Sequence, residues 1–314
     1  LLRMNPLTTP TRSDVRILAT SLIGVLCVAA AGCVPTASSD HRPAVVSDSV
    51  SAVRAGAIET PVPAGDANLH ASVVGTQPAK IRVLTYNIHH GVGIGGAVDL
   101  DQIAELIRRV SPDIVALQEV EFGTTRTLGV DQTAVLAEAT GMTGVFGRNL
   151  DFRGGGFGNA ILSRYPIKTF RNQLLPFRFG SEPRGVLDAT IELPGGGVIH
   201  LLSTHLDYHQ DETERLLQSS AIEDLAMGFG DTPVILAGDL NAEPTSGTIR
   251  SFRRRWTSAG SIRLLTYPAL FPQKRIDYVM VRPVSRWKVV STIALGGATS
   301  SDHRALLTIL ELST

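Results

Sequence analysis

The chain has 314 residues, 43% of them hydrophobic and 18% charged, with 29 basic side chains against 29 acidic. Such a composition suits a globular protein with a large core, built as one large domain with extensions or as two small ones. Charge stays balanced when residues 1–79 are set aside with their five residues of each sign, which argues against a protein that coats nucleic acid, since neutralising phosphates calls for a basic excess.

The first segment is a targeting device. Residues 17–31 form an apolar run behind Arg12 and Arg16. The run is too short to cross a bilayer, which takes about 20 apolar residues. A basic start, a short apolar stretch and small residues behind it describe an export signal over residues 1–33. It ends Ala30-Ala31-Gly32-Cys33, which resembles a bacterial lipobox, in which the Cys becomes the lipidated first residue of the mature protein. Ala30 stands where such signals usually carry Leu, and simple cleavage after Ala31 with secretion is the alternative. The only other cysteine, Cys27, lies inside the apolar run, so the mature protein has no disulfide, no cysteine metal site and no cysteine nucleophile. Two acyl chains on Cys33 satisfy the two-signal requirement for stable anchoring. The expected location is therefore the outer side of a cell membrane. Residues 34–79, rich in Pro, Ala, Ser and Val without a sustained period, read as a flexible spacer.

From residue 80 to 314 strands and helices alternate. Residues 81–86 are β-rich. Ile103, Leu106, Ile107 and Val110 have the spacing of an amphipathic helix, ended by Ser111-Pro112. Residues 113–118 read as a buried strand, 132–139 as a helix stopped near Gly141, and 159–163 as a strand. Gly154 to Gly158 lacks the Lys-Ser/Thr of a P-loop and reads as a mobile loop. Strands are expected at 186–193 and 198–203, joined by the Pro-Gly-Gly-Gly turn at 194–197. A long helix at 212–227 leads into a strand at 234–237, and further strands follow at 278–281 and 305–310. A hairpin within such an alternation means the sheets are mixed. The expected fold is α/β: a four-layer sandwich of two packed mixed β-sheets flanked by helices.

Six of these segments carry an acid, amide or imidazole beside a strand-like run: Asn87, Glu119, His205, Asp239 with Asn241, Asp277 and His303. Each alone has a plainer explanation. A Glu at a strand end is usually solvated, an Asn before glycine forms a turn, Asp239 and Asn241 suit an Asx-turn, and a lone His is usually structural. Asp239 and Asn241 at i, i+2 face one way if the segment is extended. His89 and His90, adjacent at a strand end, point opposite ways, so at most one faces a site. Arg126 is balanced between phosphate contact and a surface salt bridge. Arg253, Arg254 and Arg255 beside Trp256 read as a solvated face.

Taken in order, TYNIHHG (85–91), DIVALQEVE (113–121), GNAILSRYPI (158–167), STHLD (203–207), GDLNAEP (238–244), RIDYV (275–279) and SDHRALL (301–307) resemble the endonuclease/exonuclease/phosphatase superfamily with its deoxyribonuclease-I-like fold. The NIHHG opening and Thr266-Tyr267-Pro268 further resemble bacterial metal-dependent hydrolases related to GPI-anchor lipid remodelers. The resemblance implies that Glu119 binds Mg²⁺, with Mn²⁺ an alternative, and that Asn87 and Asp302 complete the metal shell. A hard cation of this kind takes one or two carboxylates and keeps waters and phosphate oxygens. His89 stands where the nucleic-acid repair branch has an acid, so the second metal ligand is open. The resemblance further implies that Asp239 orients or deprotonates water, that Asn87 and Asn241 hold phosphate oxygens, and that His205 donates a hydrogen bond or proton; Arg126 remains a candidate phosphate contact from its own residue type. Asp277 would orient His303; whether Asp239 or His303 is the base is open.

Three functions are thereby in play: a phosphodiesterase or phosphatase acting outside the cytoplasm on a lipid headgroup, glycolipid or small phosphoester; a secreted or surface nuclease; and a non-catalytic binding lipoprotein. The anchor, the balanced charge and the short interval from Asn241 to Asp277 favour the first, acting as a monomer, with nucleic acid disfavoured as partner.

Overall fold

Residue parity decides the layers of this protein. In a strand, successive side chains point to opposite faces, and in the central strands here both faces are buried. The computed structural model describes residues 79–297 and 299–313; the export signal, Cys33 and nearly all of the spacer lie outside the described residues. The elements run β1 (Ala79–Asn87), α1 (Leu100–Val110), β2 (Ile114–Phe122), α2 (Gln132–Thr140), β3 (Thr143–Phe152), β4 (Gly155–Ser163), β5 (Ile167–Leu174), β6 (Gly185–Glu192), β7 (Val198–His205), α3 (Thr213–Met227), β8 (Val234–Asp239), α4 (Gly247–Phe252), β9 (Thr257–Ser258), β10 (Asp277–Arg282), β11 (Trp287–Ala294) and β12 (Leu306–Leu312).

Two six-stranded sheets form, in the orders β11-β12-β1-β2-β4-β3 and β5-β6-β7-β8-β10-β9. Ile81, Val83, Ile114 and Ala116 of the first sheet meet Leu187, Leu201, Ile235 and Ala237 of the second in the central core. Their neighbours of opposite parity face outward: Leu84, Tyr86, Val115 and Leu117 pack with Ile103, Leu106 and Ile107 of α1, and Leu202, Val234 and Leu236 pack with Ile222 of α3 and Ile249 of α4. The result is helices, sheet, sheet, helices, the four-layer sandwich expected. Local signals set the helix ends. Asp99 accepts from the Gln102 amide at 3.0 Å and Asp131 from the Ala134 amide at 3.0 Å, satisfying donors a helix start leaves free.

The two sheets share one pairing pattern. In each, a central parallel pair (β1 with β2, β7 with β8) is joined by a crossover containing a helix and flanked by antiparallel partners. Ligand sites of such sheets collect at the carboxyl ends of the parallel strands. Here four such ends, those of β1, β2, β7 and β8, lie at one end of the sandwich.

Sequence reading missed β3, β5, β9 and β11, and the sheet order explains why: these are the four edge strands. β5 and β11 are mostly exposed and carry mixed polar sequences, as edges commonly do, so no buried apolar run marks them. The short α4 was missed too. Gly154 to Gly158 is corrected. It is no mobile loop: β4 starts at Gly155 and is buried throughout. A Cβ on Gly155 would lie 2.1 Å from the Phe122 carbonyl oxygen and one on Gly158 1.9 Å from that of Gly147, so these glycines serve close strand approach.

Candidate active site

Sheet register places three polar residues in one row. Parallel pairing sets His205 opposite Asp239, and antiparallel pairing sets Asp277 opposite the same Asp239. The row forms because Gly238 lets β8 approach β7 closely; a Cβ there would lie 1.9 Å from the Thr204 carbonyl oxygen. The first sheet supplies Asn87 at the end of β1 and Glu119 within β2.

Glu119 reaches the site through a bulge. Pairing of β2 with β4 shifts register between Leu117 and Val120, and Glu119 takes a left-handed φ of 55°. Gln118 stays buried, donating to Ser203 Oγ at 3.3 Å across the sheets, while Glu119 turns into the cleft. Bulges re-aim side chains in this way beside active sites. Seven non-glycine residues among those described have positive φ, and four of them (His89, His90, Glu119 and Asn241) line a single cleft of about 1090 Å³. Backbone strain of this kind persists where surrounding structure enforces it, characteristically at functional sites.

The same strain overturns two sequence expectations. His89 and His90 do not diverge from a strand end. The chain leaves β1 after Asn87 and enters a short 3₁₀ turn, with both residues near φ 46° (47° and 45°), and both line the cleft. Asn241 is likewise not extended. Its left-handed backbone lets its N–H donate to Asp239 Oδ1 at 2.9 Å, the Asx-turn, while its side chain still turns toward the site.

At the cleft floor Asp239 is surrounded by donors. Its Oδ2 lies 3.2 Å from Asn87 Nδ2, 3.4 Å from His205 Nε2 and 3.6 Å from His303 Nε2. His303 Nδ1 sits 3.0 Å from Asp277 Oδ2, and the Tyr267 ring lies beside it at 4.9 Å. Burial pushes the Asp239 carboxyl up to about 7, helped by the nearby Asp277 charge and opposed by His303. For His303 burial acts downward, but the carboxylates of Asp277 and Asp239 outweigh it and the imidazole is raised to about 10. His303 is thus an imidazolium held between two carboxylates.

His205 is its opposite. Arg184 Nη1 lies 2.9 Å from Nδ1, and Asn241 Nδ2 lies 2.9 Å from Nε2. Burial first, and the Arg184 charge second, hold the ring well below its ordinary pKa. A neutral ring has one N–H to offer. Hydrogen-bond donation fits His205, and proton donation from an imidazolium does not. Sequence reading missed Arg184, although Pro183-Arg184-Gly185 stands at the mouth of a strand like the other site residues. Its guanidinium is buried and also pairs with Glu182 at 3.1 Å. We expect Arg184→Gln to lower turnover at least about tenfold and to move the His205 ring titration, followed by NMR, to higher pH. A ring that titrates as in the parent would show that Arg184 does not act on it.

Asn87 spends its amide oxygen on the His89 N–H at 3.0 Å and donates from Nδ2 to Glu119 Oε1 at 2.9 Å as well as to Asp239. In this geometry it offers the cleft a donor rather than a metal ligand. Asp302 stands on the half-exposed lip, its Oδ1 3.9 Å from His89 Nδ1. Arg126 also lines the cleft, but its guanidinium is tied to the buried Glu121 and lies 4.6 Å over the Phe152 ring; the salt bridge is thus present, with Glu121 buried and Arg126 partly so. Arg275, fully buried, donates to the carbonyls of Ala259 and Ser261 and holds the loop before β10.

The donors beside Glu119 fit a divalent cation. Burial raises the Glu119 carboxyl, yet His90, His205, Asn87 and His303 outweigh it and hold it well below the usual carboxylate range. Ligating atoms of His89, His90 and Glu119 lie within 4.8 Å of one another. His90 Nδ1, 3.8 Å from Glu119 Oε2, is buried without a hydrogen-bond partner, an orphan atom that calls for an explanation such as an ion. Asp239, Asp277 and His303 form a second such group, already closed by its own contacts.

Comparison with known proteins identifies the family and the fold. The model of the Endonuclease/Exonuclease/phosphatase family matches residues 84–303. The uncharacterized protein YbhP of Escherichia coli (strain K12) is 32% identical over 225 residues, spanning 67% of this chain and 88% of its own length. An endonuclease/exonuclease/phosphatase from Beutenbergia cavernae superposes with a TM-score of 0.62 at 25% identity, covering 74% of this chain and 72% of its own. The mannosyl-6-phosphatase Bt3783 of Bacteroides thetaiotaomicron shares the fold, with a TM-score of 0.60 at 19% identity over 73% of this chain and 99% of its own. With the cleft built from the strand ends that carry the matching motifs, the chain belongs to the endonuclease/exonuclease/phosphatase family, whose members are hydrolases of phosphoesters and generally depend on a divalent metal.

Proposed function

We propose that this protein is a metal-dependent phosphodiesterase that acts outside the cytoplasm on a lipid headgroup, glycolipid or small phosphoester. The observation that carries the reading is the convergence of Asn87, Glu119, His205, Asp239, Asn241 and the Asp277–His303 pair on one cleft floor. Glu119, with the imidazoles of His89 and His90 beside it, would hold a Mg²⁺ or Mn²⁺ ion, which would supply charge neutralisation at a phosphate oxygen. Asp239, raised toward neutrality, accepts the proton of a water aimed in line at phosphorus. His303 is already protonated and so serves as an electrostatic clamp and proton donor, with Asp277 fixing its orientation. Asn241 and the neutral His205 donate hydrogen bonds to the developing oxyanion, and Asn87 holds the carboxylates of Glu119 and Asp239 in place.

Export through residues 1–33 and lipidation at Cys33 would place the domain at a membrane surface, a location that suits phosphoesters of lipids. The balanced charge supports this reading over a nuclease. The experiment is hydrolysis by the purified protein, with Mg²⁺ and with EDTA, of phospholipid, a glycosylphosphatidylinositol mimic, bis-(p-nitrophenyl) phosphate and plasmid DNA. Lipid cleavage abolished by EDTA, without DNA nicking, is the expected result. DNA nicking alone makes the protein a nuclease, and no turnover of any substrate favours a binding lipoprotein.

A further inference from the structure

The most exposed apolar side chains crowd around the cleft. Among the described residues, the four large apolar or aromatic side chains with the greatest exposure are Phe179 (107%), Leu128 (90%), Phe271 (78%) and Tyr208 (61%). They come from four segments: the turn after β2, the β5–β6 loop, the segment after β7 and the segment before β10. Pairing sets all four at one end of the sandwich. Val186, at the start of β6, lies opposite Thr204 near the end of β7, and Asp277, at the start of β10, lies opposite Asp239 at the end of β8. The same segments wall the cleft with Arg126, Arg184, Tyr208, Tyr267 and Lys274.

Exposure of single apolar residues is ordinary, and less exposed ones such as Val284 (56%) and Leu217 (51%) lie elsewhere, but the four most exposed share the cleft end. Leu128 carries a second sign. It holds a left-handed φ of 60° with its side chain almost fully in solvent, a conformation that favours Gly or Asn over Leu. Neither packing nor backbone geometry accounts for a leucine there.

From this arrangement we infer that the rim of the cleft docks on a lipid bilayer, with Leu128, Phe179, Tyr208 and Phe271 entering the interfacial layer; the inference deepens the lipid-phosphoesterase reading and rests on it. A protein partner would bury a continuous apolar centre within a polar rim. Here the order is reversed: separate apolar tips surround an open, polar cleft. That suits a fluid surface, into which tips insert while the polar centre meets headgroup phosphates. Cations stand behind the tips to meet those phosphates: Lys274, three residues from Phe271 and lining the cleft, and Arg178, half-exposed though paired with Asp211 and Glu214, between Phe177 and Phe179.

The test places tryptophan at the rim of the full-length protein as Leu128→Trp, Phe179→Trp and Phe271→Trp, with Val198→Trp at the opposite end as control. The two native tryptophans, Trp256 and Trp287, are buried and supply a constant background. Vesicles of phosphatidylcholine and phosphatidylglycerol with brominated acyl chains are added. Blue-shifted emission and quenching at 128, 179 and 271, but not at 198, is the expected result, and because it reads depth at each position, attachment through the N-terminus cannot mimic it. Rim tryptophans that remain unshifted and unquenched, or quenching at 198 equal to theirs, overturns the proposal. In parallel, Phe179→Ser with Phe271→Ser should reduce hydrolysis of vesicle lipid at least about tenfold while turnover of soluble bis-(p-nitrophenyl) phosphate is unchanged. Equal losses on both substrates contradict docking. Rim quenching without lipid hydrolysis by the parent protein supports docking and removes the catalytic reading alone.

Discussion

Asp239→Asn is expected to lower turnover at least about 100-fold while leaving the protein folded and its melting temperature unchanged or raised. The first half follows from position. Asp239 Oδ2 is the acceptor on which Asn87, His205 and His303 converge at 3.2–3.6 Å, and an amide there cannot take a proton from water. The second half follows from linkage. Folding raises this carboxyl from 3.8 to about 7, so the folded state binds a proton that the unfolded state has released. The Asp239 contribution to stability therefore declines as pH rises from about 4 toward 7, and at neutral pH the ionised group is a burden that Asn lacks. Steady-state kinetics on bis-(p-nitrophenyl) phosphate with calorimetry on the same preparation tests both halves. Near-normal activity in a folded Asp239→Asn protein would sink the assignment of Asp239 as base, and a large drop in melting temperature would reduce it to a structural group.

Glu119→Gln is expected to remove metal response and activity together. The substitution preserves volume and the bulged backbone but removes the charge that His90, His205, Asn87 and His303 stabilise. A cation bound only to the folded state at about 100 times its Kd adds about 2.7 kcal/mol, which for a domain of this size raises the melting temperature by about 5–10 °C. Titration of Mg²⁺ and Mn²⁺ followed by thermal unfolding should show that rise in the parent and not in Glu119→Gln, with turnover reduced at least about 100-fold. An undiminished thermal shift in the variant would move the metal to the Asp239, Asp277 and His303 group. The two experiments together separate a proton-transfer residue from a metal ligand, since Asp239→Asn should leave the thermal response to metal largely in place.

Much of this site was legible before any coordinates, for a physical reason. A polar or ionisable residue beside a run of buried apolar residues tends to mark a strand end: Asn87, His205 and Asp239 close β1, β7 and β8 and Asp277 opens β10, while Glu119 lies within β2. The central strands were legible because burial on both faces demands unbroken apolar runs. The edge strands β3, β5, β9 and β11 were not, because one side of each pairs with no neighbour and none carries an unbroken buried apolar run.

By itself the amino-acid sequence determined the layer architecture, the central strands and most of the reactive groups, Arg184 excepted, because these follow from hydrophobic period and residue type. Only the tertiary structure decided how those groups behave. The bulge that turns Glu119 inward depends on β2 pairing with β4, and the left-handed turn that brings both His89 and His90 to the cleft depends on the chain leaving β1 at Asn87. Protonation was decided there too. His205 and His303 are the same residue type, yet one lies 2.9 Å from a guanidinium and is held neutral, while the other lies 3.0 Å from a carboxylate and is held charged. Charge state in a buried site is set by neighbours distant in the chain, and only folding brings those neighbours together.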